Sequence, residues 1–165
     1  AGVGPMAAVA GAIAWAGVER MQEGGASFGV IDNGGDIALI SDHEIRVGVH
    51  AGSAPLSDRL AFLVPPQEKV LGICTSSATV GYSLSFGVAD AVTIFSRNVA
   101  SADAWATAIC NRVRPGDTSP LDLLAGTDVS GALVIMGDTM VKWGDPPPIV
   151  PATVDKSRIT AGRSF

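Results

Sequence analysis

Ser101-Ala102-Asp103-Ala104-Trp105-Ala106-Thr107 opens a helix predicted to reach Val113, with Asp103 in its first turn and Arg112 in its last. Both charges suit the helix macrodipole at those ends. Residues four apart share a helix face, so Asp103 and Thr107 set a carboxylate beside a hydroxyl. Such a hard-oxygen pair suits Mg²⁺, with phosphates and waters completing the shell. The plainer account of Asp103 alone is a cap or dipole complement. Just upstream, Ala89 to Phe95 reads as a buried strand leading into this helix.

Working outward, Gly4-Pro5 followed by Met6, Val9, Ile13, Val18 and Met21 reads as one helix stopped at Gly24-Gly25. Gly4, Ala7, Ala8, Gly11 and Ala14 line it with small residues, so a neighbour is expected to pack very close. Ser27 to Asn33 and Asp36 to Ile40 read as strands broken at Gly34-Gly35, and Glu44 to His50 and Arg59 to Val64 as two more. Gly72 to Ser85 is hydroxyl-rich and too irregular for a clean strand. Toward the end, Ser119-Pro120 starts a short helix closed by Gly126. Ala132 to Trp143 folds back at Gly137-Asp138 in a type II′ turn, and Pro146-Pro147-Pro148 begins an extended tail. Strands in runs with helices between them define an α+β class.

The 165 residues suit one domain, 1–165. Its 47% apolar and 16% charged residues exclude a disordered chain, and its net charge of −5 is a poor match for nucleic acid. The longest apolar candidate, Met6 to Val18, is too short for a membrane span. High apolar content with few charges predicts a homo-oligomer, with the helix from Pro5 to Val18 as a candidate contact. Cys74 and Cys110 are read as free thiols and, with no export signal visible, the expected location is the cytoplasm. The chain opens inside a helical segment, which is expected of a piece of a longer parent.

Several motifs fail on their context. Gly2-x-Gly4-x-x-Ala7 has no strand before it and contains Pro5, against a dinucleotide fingerprint. Gly81-Tyr82-Ser83-Leu84-Ser85 misses the nucleophile elbow at its last residue, and neither His43 nor His50 lies near a plausible serine motif. His43-Glu44 lacks the second histidine of a zincin. Two segments survive beside the Asp103 helix. Asp32-Asn33-Gly34-Gly35-Asp36 is either a plain hairpin turn or a backbone cradle for a ligand. Thr75-Ser76-Ser77 is either a solvated loop or a set of hydroxyls for phosphate or ribose.

In this order the segments resemble the ApbE-like superfamily of flavin transferases, which use Mg²⁺ to split FAD and attach FMN to a Thr or Ser of a target protein. The resemblance is tighter to a short branch of that superfamily. It runs through Gly4-Pro5-Met6-Ala7-Ala8-Val9, Cys74-Thr75-Ser76, Ser83-Leu84-Ser85-Phe86-Gly87 and the hairpin at Gly137-Asp138. It implies an α+β fold with an antiparallel-rich sheet against helices. It further implies Asp103 and Thr107 as metal ligands, with Asn33, Gly34, Gly35, Asp36, Thr75 and Ser76 at the flavin nucleotide. Mg²⁺ and FAD are the implied cofactors, and a small-molecule nucleotide is the implied partner.

The transferases carry a His-x-x-Asp-Pro-x-Thr-Gly-like segment where this chain has Tyr82 to Gly87, without histidine or Asp-Pro. The resulting expectation is an Mg²⁺-dependent FAD/FMN-binding relative in which FMN transfer to protein is not expected. Metal-dependent flavin transfer or FAD pyrophosphatase chemistry is the enzymatic version. The alternative is the same fold without flavin chemistry, serving as a structural or interaction module.

Overall fold

A 3₁₀ turn at Pro5–Ala8 leads into helix α1, Val9–Glu23, in the computed structural model, which describes residues 1–80 and 87–153. Gly24 caps the helix and Gly25 leaves it with φ +91°, a conformation suited to glycine. Strands β1 (Gly29–Asn33) and β2 (Asp36–Ser41) follow as a hairpin. Its two-residue turn is Gly34-Gly35, with φ of 72° and 103°, as the right-handed twist of paired strands favours.

Next come β3 (Ile45–Gly48), β4 (Leu60–Val64), β5 (Gln67–Ser76) and β6 (Ala91–Ser96). Helix α2 covers Val99–Cys110, and β7 (Val129–Met136), β8 (Thr139–Gly144) and β9 (Ile149–Pro151) follow among the described residues. One antiparallel sheet runs β1-β2-β5-β6-β7-β8, and a smaller one runs β3-β4-β9.

The layers follow from alternation along the strands. Ala38, Ile40, Cys74, Val92, Ile94, Ala132 and Val134 join Ala14 and Val18 of α1 and Val99, Ala102, Ala106 and Ile109 of α2 in one buried cluster. The intervening residues Leu39, Leu71, Ile73, Phe95, Leu133 and Ile135 meet Phe62 and Val64 of the small sheet in another. The large sheet is therefore buried on both faces, helices on one side and the small sheet on the other. Phe62 and Phe95 bridge the two sheets edge to face at 4.8 Å. The architecture is α+β, as the segment reading predicts.

The small-residue face of α1 packs on α2. A Cβ at Gly11 would stand 2.8 Å from the Val99 carbonyl oxygen and 2.9 Å from the Asp103 Cβ. Gly11 and Ala14 of that face are buried within the chain, while Met6, Val9 and Ile13 around the start of the same helix are exposed. Helix α2 also starts earlier than its sequence suggests. Asn98 accepts from the Ser101 amide at 3.0 Å, which caps the helix before Val99. Asp103 thus lies beyond the first turn, and Arg112 lies past the last helical residue, where it donates to the Ala108 carbonyl at 2.7 Å.

Two further expectations change. Gly72 to Ser76 belongs to β5, a strand buried on both faces at its middle and so without polar alternation. The tail after Pro146-Pro147-Pro148 returns as β9 against β4. Gly81 to Phe86, including Tyr82 and the Ser83-Leu84-Ser85 segment, lies outside the described residues. At Gly137-Asp138, Gly137 has φ +60° and Asp138 does not share a positive φ, the pattern of φ signs that a type II′ turn requires. Among the described residues no helix is long and apolar enough to cross a membrane.

Candidate functional site

The end of the large sheet, where β2 begins and β5 stops, is where the surviving motifs meet. Gly35 donates to the Asp32 carboxylate at 2.8 Å, and the Thr75 amide donates to the Gly35 carbonyl at 3.1 Å. The glycine turn is thereby stitched to the last residues of β5. Asn33 donates from Nδ2 to the Ala10 carbonyl at 3.2 Å and ties the same turn to the start of α1. The two hydroxyls at the end of β5 diverge with the pleat. Thr75 pairs with Thr93 of β6 at 2.9 Å, while Ser76 meets Thr107 of α2 at 3.1 Å.

A cleft of about 820 Å³ wraps this sheet end, within the ~300–1,000 Å³ usual for small-molecule sites. Asn33, Gly34, Gly35, Asp36, Thr75, Ser76, Asp103 and Thr107 all line it. Residues from sequence positions 33 to 107 that were proposed separately therefore share one cavity. Asp103 and Thr107 do face it together from α2. Sequence reasoning did not assign the remaining walls, which come from Met6 and Ala7 before α1 and from Val47, His50 and Phe62 on the small-sheet side.

Charge in the cleft is one-sided. Asp32, Asp36 and Asp103 line it, and among the described residues neither Lys nor Arg does. Burial pushes the Asp36 carboxyl from its ordinary 3.8 up to about 7, and the nearby Asp103 adds to this while the Cys74 thiol pulls the other way. Among the described residues its Oδ1 is buried without a hydrogen-bond partner. Burial also raises Asp103, against the pull of the Gly11 amide, which donates to its Oδ2 at 2.8 Å. Asp103 thereby caps α1 from across the helix interface, because Gly11 is one of that helix's unpaired first-turn donors. Cys74 and Cys110 are both buried, and burial together with Asp36 and Asp103 pushes the Cys74 thiol up.

This donor set fits a magnesium ion. Two carboxylates from facing elements and one hydroxyl are hard oxygens, and an orphaned buried oxygen at Asp36 needs a partner. Among the described residues no group of three His, Cys, Asp or Glu could hold a metal without help.

The fold and this cleft define a class. The flavinyl transferase ApbE of Pseudomonas stutzeri, in its apo form, matches with a TM-score of 0.56, covering 95% of this chain and 50% of that one. At 16% identity the likeness is one of fold. Within that class, the family described as AbpE bacteria matches residues 1–136, and the chain belongs to it. Relatives called UPF0280 protein are 65% identical over 163 residues in Methanoregula boonei and 67% identical over 165 residues in Methanoculleus marisnigri. These matches cover 98% and 100% of this chain, which spans 68% of the length of each relative.

Proposed function

We propose that this chain binds a flavin dinucleotide together with Mg²⁺ in the cleft at the end of the large sheet. The observation that carries the reading is the meeting of the Gly34-Gly35 turn, the Thr75-Ser76 hydroxyls and the Asp36, Asp103 and Thr107 oxygens in one cavity. The ApbE-like fold supports FAD as the ligand class. Glycine amides at the turn offer donors to a diphosphate without side-chain obstruction. Asp103, Thr107 and Asp36 would hold the ion, which neutralises a diphosphate that three aspartates would otherwise repel.

Calorimetric titration with FAD, with and without Mg²⁺, tests this on the wild type and on Asp103→Ala. Wild type should bind more tightly with Mg²⁺, by tenfold or more, and Asp103→Ala should lose most of that gain. Equal affinities in all four experiments would leave the likeness to flavin transferases as one of fold alone.

A further inference from the structure

The cleft carries a histidine that its sequence context did not mark. His50 follows Val49, which is buried in the cluster between the two sheets, and His50 lines the cleft from that side. Its Nδ1 lies 2.9 Å from Asp58 Oδ1 and 3.4 Å from Ser57 Oγ. An ionised carboxylate can only accept, so Nδ1 carries the proton and, in the neutral ring, Nε2 presents its lone pair.

The pair is held by a built loop. Val49 and Leu60 close it at 2.9 Å, the Asp58 amide returns to the Val49 carbonyl at 2.9 Å, and the Ala51 amide donates to Ser57 Oγ at 2.9 Å. Ala51 and Ala54 anchor it in the core. Asp58 adopts φ +61°, the sole positive φ of a non-glycine residue among those described, and that conformation accompanies its contact with His50. Asp103 and Thr107 line the cleft from α2 and His50 lines it from the loop after β3, so they come from elements on opposite faces of the large sheet.

We propose that His50, oriented by Asp58, is the proton acceptor for hydroxyl attack on the diphosphate of a nucleotide bound in this cleft. The inference rests on the nucleotide reading above. With water as acceptor, its oxygen forms a bond to one phosphorus and the P–O bond of the anhydride bridge breaks. The bridging oxygen leaves with the electron pair on the second monophosphate, and the water proton passes to His50 Nε2 and on to solvent. In-line displacement places attacking and leaving oxygens on opposite faces of phosphorus, so the base serves the attacking side while a cation that Asp36, Asp103 and Thr107 would hold offsets the charge on the leaving side. Asp58 is a positioning residue, holding the tautomer.

The test is FAD turnover with Mg²⁺, with FMN and AMP quantified by chromatography and FAD affinity measured separately. Wild type should release FMN and AMP one to one. His50→Ala should lower kcat about a hundredfold or more, the lower bound for a general base, while FAD affinity stays within about twofold. Added imidazole should restore part of the rate, and Asp58→Asn should lower kcat with KM unchanged. A fully active His50→Ala, or a wild type that binds FAD without splitting it, overturns the inference and leaves the nucleotide reading standing. A wild type that binds no FAD overturns both.

Discussion

Replacing Asp36 by Asn removes a charge the fold holds at a cost. The unfolded chain releases this proton near 3.8 and the folded chain near 7. That is about three decades in proton affinity at ~1.4 kcal/mol each, or ~4 kcal/mol against the folded state once the group is ionised. The part of Asp36 that meets solvent screens this to ~2 kcal/mol. Well below pH 3.8 the side chain is neutral in both states, so wild type and Asp36→Asn should differ least in melting temperature at the acid end. As pH rises from about 4 through 7 the wild type progressively loses stability that the variant keeps. At pH 8 the variant should melt roughly 4–8 °C higher, since a chain of this size shifts ~2–4 °C per kcal/mol. Calorimetric melting of the metal-free protein from pH 4 to 8 reads the difference directly. A gap that is constant across this range would refute the reasoning, as would a variant less stable at pH 8.

Gly11→Ala gains up to ~1 kcal/mol of helix propensity but presses on a backbone oxygen and on Asp103, so it should destabilise by about 1–2 kcal/mol net in a denaturant titration. Thr107→Val keeps shape and deletes one neutral oxygen; its effect on Mg²⁺-dependent FAD affinity should be several-fold smaller than that of Asp103→Ala, measured by the same calorimetry.

Local signals carried much of this architecture. The Gly34-Gly35 turn, the Gly137-Asp138 turn and the Asp103–Thr107 spacing depend on neighbours within four residues, and each was legible. Strand β5 was not, because a strand buried on both faces has no polar alternation to announce it. Helix α2 hid its start because Val99 resembles the end of a strand, although Asn98 is a recognisable cap. Strand β9 is three residues beside prolines and takes its identity from β4, far away in sequence. At the site, the facing of Asp36 and Asp103 joins positions 67 residues apart, and the Asp58 partner of His50 matters only once the loop between β3 and β4 has closed. Motif spacing contains neither fact.

Strand β9 gives the far end of the chain a hold on the cleft. It pairs Pro151, Val150 and Ile149 with Leu60, Ala61 and Phe62, and Phe62 is itself a wall of the cavity. The loop that carries His50 and Asp58 is anchored at Leu60, the first residue of that pairing. Strand β9 is thus a buttress: peeled away, it would leave the six-stranded sheet whole while one bank of the cleft lost its footing. Proteolysis or a tag placed between Pro146 and Pro151 would then act at a distance of nearly a hundred residues in sequence from His50, through strand pairing alone.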